Sequence, residues 1–199
     1  MAARFEGDFL VTLLQDGRNI RLESDLLFVD PNDVHWAAPK GAVVDGASIP
    51  KGFWSIVGGP LEGKYRNASI IHDWFCDKRT RTWQATHRVF YDGMIASGVG
   101  IAQAKLMYYA VLWGGPRWEE RVSANTNLSA GGAFGMAPAG GPPRMIKKTV
   151  PIASPGGGKS MAEQAAAAEK LRALIDAQDL SLDDIEGLAE QRHPPAPQG

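Results

Sequence analysis

The aromatic residues of this chain stop abruptly. All six Trp, all four Tyr and six of the seven Phe precede Arg121. Large aromatic side chains supply much of the burial that holds a core together, so a cooperative core domain is expected over residues 1–122. The stretch that follows, SAGGAFGMAPAGGPPRMIKKTVPIASPGGG (129–158), is dominated by Gly, Pro and Ala. Such a composition buries too little apolar area to offset its chain entropy. The reading is a Gly/Pro-rich flexible linker over 123–160, then a helical tail over 161–199 that ends in coil.

Bulk properties exclude some function classes. With 21 basic against 22 acidic residues, the net charge is −1. No basic excess points to nucleic acid, and no polybasic run points to an anionic membrane surface. Cys76 is the single cysteine, so no intramolecular disulfide can form. The N-terminus carries Glu6 and Asp8 ahead of a short apolar run and reads as no signal peptide. No window reaches the roughly 18 apolar residues that a membrane span needs. The chain is expected to be made and kept soluble.

The first half of the core reads as strands. FLVTLL (9–14) is expected as a buried run, followed by an Asp16-Gly17 turn signal. NIRLES (19–24) alternates, LLFVD (26–30) is apolar, and HWAAP and AVVD complete an antiparallel meander. From Pro50 the period becomes helical. A short PKGFWSIVG helix precedes three longer ones, GKYRNASIIHDWFCDK, TWQATHRVFYDGMIASG and IAQAKLMYYAVLWGG. Gly98 and Gly114 stand where C-caps are expected. Strands first and helices second predict an α+β fold. In the tail, Ser160 and Ser181 are expected N-caps.

Polar residues punctuate this pattern. His72-Asp73 lies within a helix, and neighbouring helical positions point about 100° apart. The pair can line a groove at a helix edge, where a His and a carboxylate form the kit for general-base chemistry; the alternative is a hydrogen-bonded core His beside a surface Asp. Asp45-Gly46-Ala47-Ser48-Ile49-Pro50 ends a strand, and its turn can aim carbonyls at a hard cation or simply join strand to helix. His87 follows His72 by 15 residues, so two antiparallel helices would bring them together. Cys76, one turn after His72, reads as packing rather than as a nucleophile. The segment Ala153–Ser160 fits a relaxed phosphate-loop pattern, but only 39 residues follow it and none reads as a nucleotide-binding sheet.

The ordered set Asp45–Pro50, Phe53-Trp54, Gly59-Pro60, Gly63 with Tyr65, His72-Asp73, Met107-Tyr108 and Gly115-Pro116-Arg117-Trp118 resembles an uncharacterised domain family common in bacteriophage and prophage genomes. The resemblance covers about residues 4–119. Its layout is similar in turn to the phospholipases A2. That likeness implies a phospholipase A2-like helical part and calcium-dependent hydrolysis of a phospholipid ester. His72 would be the base, Asp73 a calcium ligand, and Asp45-Gly46 part of the calcium loop. Where those enzymes orient the base with a carboxylate on the next helix, this chain has His87.

Two functions are therefore expected to compete. One is a hydrolase with His72 and His87 as catalytic residues and metal held by Asp45, Gly46 and Asp73; calcium is the expected ion, and zinc the alternative. The other is a non-catalytic virion or assembly protein. In that case the stripe of Leu171, Leu174 and Ile175 docks a phage partner through residues 161–190.

Overall fold

A computed structural model describes residues 2–7, 10–46, 49–54, 58, 63–125 and 144–190. The fold is α+β, with antiparallel strands first and helices after them. Six short strands are β1 (Arg4–Glu6), β2 (Val11–Leu13), β3 (Ile20–Leu22), β4 (Leu26–Val29), β5 (His35–Ala38) and β6 (Val43–Val44). They form two three-stranded sheets rather than one meander, in the orders β1-β4-β5 and β2-β3-β6.

Local chemistry sets the turns. Asp16 accepts the N–H groups of Arg18 and Asn19 at 2.9 and 2.8 Å, and Gly17 takes a φ of 69°. That positive φ suits glycine. Asp30 does the same work between β4 and β5. One of its oxygens accepts from Asn32 and Val34, and the other from the Trp36 indole at 3.1 Å.

The apolar run around β2 is not buried. Leu10 and Leu13 are 69% and 63% exposed. The reason is tertiary: among the described residues β2 is the edge strand of its sheet, paired to β3 on one side. Phe9 lies outside the described residues.

Three helices follow two short 3-10 turns at Lys51–Phe53 and Gly63–Tyr65: α1 (Arg66–Lys78), α2 (Trp83–Ala96) and α3 (Ile101–Gly114). α1 is the hinge of the architecture. Ile70, Ile71 and Phe75 pack into the sheet core with Leu22, Phe28 and Trp36. Ala68 and Cys76 belong to the helical core. α3 is buried continuously from Ala104 to Trp113, as expected for a helix that is apolar all round. Gly98 follows α2 with a φ of 75°, the left-handed position expected of a cap. Gly114 instead closes α3, where an added Cβ would meet Pro50 Cγ at 2.4 Å.

The second half departs from the expected organisation. Strand β7 (Arg117–Asn125) pairs antiparallel with β8 (Arg144–Ile152), from Arg117 opposite Ile152 to Asn125 opposite Arg144. Regular structure thus occupies part of the span expected as linker, because Arg144–Ile152 meets a partner strand. Residues 126–143 lie outside the described residues.

The tail is helical, with α4 (Met161–Ala177) and α5 (Leu182–Glu190). Ser160 caps α4 in a reciprocal capping box with Glu163. The apolar stripe expected to dock a partner packs on the chain's own core. Leu171 is buried, and Leu174 and Ile175 pack against the same cluster as Tyr109 and Trp113. Ala167, Ala168, Ile185 and Ala189 complete this layer. A tethered amphipathic helix beside a large apolar helix gains most by covering it. Lys105 donates to Asp179 at 2.9 Å, and the Tyr108 hydroxyl donates to Glu186 at 2.6 Å, which fixes the register. Among the described residues, no helix is long and apolar enough to cross a membrane.

Candidate functional site

The site is built where the turn after β6 meets the middle of α1. The Asp45 N–H donates to Asp73 Oδ2 at 3.0 Å. The Gly46 N–H also supports the Asp73 carboxylate, and Gly46 reaches that position with a φ of 101°. Asp45 itself pairs with Arg18 at the surface. Ala47 and Ser48 of the same turn lie outside the described residues.

Val44, Asp45, Asp73, Cys76, Asp77 and Pro116 line an open cleft of ≈ 330 Å³. Burial pushes the Asp73 carboxyl up to about 7, opposed by the Asp45 and Gly46 N–H groups and reinforced by the charges of Asp45 and Asp77.

Behind the cleft lies a second group. His72 Nε2 and His87 Nδ1 are 2.9 Å apart, and both rings are fully buried. α1 and α2 run side by side and bring the two rings together, as their spacing predicted. Cys76 Sγ lies 3.6 Å from His72 Nε2, so His72, Cys76 and His87 form one cluster whose ligand atoms all fall within 4.8 Å of one another. Burial pushes His72 down to about 3. His87 is also held well below the usual imidazole range, by burial first and then by His72 and Arg117. Burial pushes the Cys76 thiol up. All three are neutral at pH 7.

The Gly115-Pro116-Arg117-Trp118 segment closes this cluster. A Cβ on Gly115 would meet His87 Cε1 at 3.1 Å. The Pro116 carbonyl is close enough to favour a protonated His87, yet His87 Nε2 makes no hydrogen bond of good geometry. The Arg117 guanidinium sits 4.2 Å from the centre of the Trp83 ring, a cation–π contact.

Every site residue expected from the sequence is therefore in one neighbourhood, in two layers. Asp45 and Asp73 are in the cleft wall, and Gly46 adjoins it through its N–H on the Asp73 carboxylate. His72 and His87 stand behind it and do not line it. Cys76, read from sequence as packing, touches both layers. The signal for it was its i, i+4 spacing from His72.

Across 198 residues, 96% of this chain, the sequence is 37% identical to the uncharacterized protein y4iH of Sinorhizobium fredii (strain NBRC 101917 / NGR234) and spans 78% of that protein. Residues 20–111 match the family described as "Protein of unknown function (DUF1353)". The chain belongs to this family. All the site residues above fall inside the DUF1353 segment, whereas Gly115–Trp118 and the tail lie outside it. A second relative, the uncharacterized protein y4jT of the same organism, is 48% identical over 130 residues, which is 65% of this chain and 39% of y4jT. No solved structure matches the chain.

Proposed function

We propose that this DUF1353 protein is a hydrolase whose reacting centre is the cleft between the Asp45-Gly46 turn and α1, with Asp73 as general base. The observation that carries the reading is the placement of Asp73. Its carboxylate faces the cleft, is held by the Asp45 N–H at 3.0 Å, and is backed by a buried cluster of His72, Cys76 and His87. A carboxylate at a cleft wall, poised to exchange a proton near neutral pH, is what activation of water requires.

This reading keeps the hydrolysis implied by the phospholipase A2 likeness and moves the base. A water in the cleft meets Asp73, whereas His72 is fully buried. His72 and His87 then brace the helix that carries Asp73. In the described part of the loop the Asp45 and Gly46 N–H groups are on Asp73, and an N–H donor is no ligand for calcium, which needs oxygen. The proposal accordingly places no calcium there. The substrate class is a carboxylic ester, phospholipid included. The phage or prophage setting rests on the motif resemblance.

A second reading, a non-catalytic virion or assembly protein, is favoured by one observation. Leu10 and Leu13, at and beside the edge strand β2, are 69% and 63% exposed, an apolar sheet edge suited to a protein partner.

The test is a screen of short-chain esters and phospholipid vesicles with the purified full chain, with added calcium, added zinc or chelator. Ester release above a heat-inactivated control supports the hydrolase. No release in any condition favours the assembly role.

A further inference from the structure

We infer that His72, Cys76 and His87 hold one divalent transition metal, with zinc the best match. This site stands independently of the hydrolase reading, because it follows from ligand chemistry alone.

Two features carry it. The first is geometry. A tetrahedral zinc with ordinary Zn–N and Zn–S bonds sets its nitrogen ligands roughly 3.3 Å apart and a nitrogen and sulfur about 3.6 Å apart. Here Cys76 Sγ is 3.6 Å from His72 Nε2, and His72 Nε2 is 2.9 Å from His87 Nδ1. All three ligand atoms fall within 4.8 Å of one another, so side-chain movements of a few tenths of an ångström to about 1 Å would seat the ion. The second is an unsatisfied group. His87 Nε2 is buried without a good hydrogen bond, with the Pro116 carbonyl nearby. Binding a metal through Nδ1 fixes the proton on Nε2, and that N–H can then turn to the Pro116 carbonyl. A backbone carbonyl on the far nitrogen is a common partner of a metal-bound imidazole.

The ligand set also selects the metal. Two imidazoles and a thiolate suit zinc or another borderline-soft ion and do not suit calcium or magnesium. As the metal–sulfur bond forms, the Cys76 thiol releases its proton to solvent, and the thiolate offsets one of the two charges. Asp73, the next residue after His72, lies on the same cleft as Cys76 and offsets the second. His72, Asp73 and Cys76 thus stand at i, i+1 and i+4, the spacing by which one helix offers two ligands with a carboxylate at their edge. Cys76 also lines the cleft, so one ligand of the site borders the space where Asp73 stands. If the hydrolase reading holds, a bound metal would supply Lewis-acid character beside the cleft, and Asp73 would take the proton of the attacking water.

The experiment uses the full chain and no substrate. Metal content is measured after expression in zinc-supplemented medium and purification without chelator. The apo protein is then titrated with cobalt(II). The expected results are one zinc per chain and a thiolate-to-cobalt charge-transfer band that is lost in Cys76→Ser. Zinc-edge X-ray absorption on the unsubstituted chain should show one sulfur and two imidazole nitrogens, a readout that no unfolded variant can confuse. No zinc above the buffer blank, no charge-transfer band, or a shell of nitrogen and oxygen alone would overturn the site. Hydrolysis plays no part in these readouts, so an inactive but zinc-loaded protein would sink only the hydrolase reading.

Discussion

His72 and His87 meet Nε2 to Nδ1 at 2.9 Å inside the core, and among the described residues no carboxylate is bonded to either ring. Each is therefore kept neutral when folded and charges readily when unfolded. Both folded pKa values lie below the unfolded value of 6.5, with His72 at about 3. The unfolded state then binds more protons, so their contribution to stability is full above pH 6.5 and is lost as pH falls from there toward 3. Thermal melts of chelated protein from pH 8 to 4.5 should show Tm falling below pH 6.5. A His72→Gln/His87→Gln variant should be less stable overall, with a visibly shallower fall.

Asp73 has the opposite sign. Its folded value of about 7 lies above the ordinary carboxylate value of 3.8, so the folded state binds more protons between the two. Its contribution is favourable below pH 3.8, declines as pH rises to about 7, and is then constant. Asp73→Asn keeps an oxygen to accept the Asp45 N–H and removes the charge. The variant should therefore gain Tm relative to the unsubstituted chain at pH 8 and show little or no gain at pH 4, read in chelator by the same melts.

Gly115 lets the chain pass over His87. A Cβ there would meet the Val111 carbonyl at 2.3 Å and His87 Cε1 at 3.1 Å. Gly115→Ala should lose about 1–3 kcal/mol in urea unfolding, the usual range for overpacking. Gly100→Ala, where a Cβ meets nothing within 4 Å, serves as the comparison and should change stability far less.

The tail belongs to the core. Leu171 is 1% exposed and packs in the same cluster as Tyr109 and Trp113. Leu171→Ala should cost about 2–5 kcal/mol, and Tyr108→Phe, which loses the 2.6 Å bond to Glu186, about 1 kcal/mol. Unfolding followed by tryptophan fluorescence and by far-UV circular dichroism should remain one coincident transition. A tail that melts separately would contradict the packing.

What the sequence made legible was local. The Asp16-Gly17 turn, the Ser160 cap and the helix of His72 and Asp73 each follow from neighbours a few residues apart, and each stands in the structure. What it concealed was decided at long range. LVTL at 10–13 has the composition of a buried strand, yet its exposure depends on which strand lies at the sheet edge. RMIKKTVPI follows a Gly/Pro-rich stretch and reads as linker until Arg117–Asn125 pairs with it. The stripe of Leu171, Leu174 and Ile175 is equally suited to a partner or to the chain's own α3. At the site, the spacing of His72 and His87 predicted their meeting. The convergence of Cys76 on both rings required knowing how α1 is turned between its two cores.

The central claim is that Asp73 activates water in the cleft, and the most direct measurement is ester hydrolysis by the full chain beside Asp73→Asn and Asp73→Glu, each checked for native circular dichroism. The account predicts that Asp73→Asn lowers kcat/KM by about 10²–10⁴-fold, the usual worth of a general base, and that Asp73→Glu restores part of it. Equal rates in the unsubstituted chain and Asp73→Asn would contradict it.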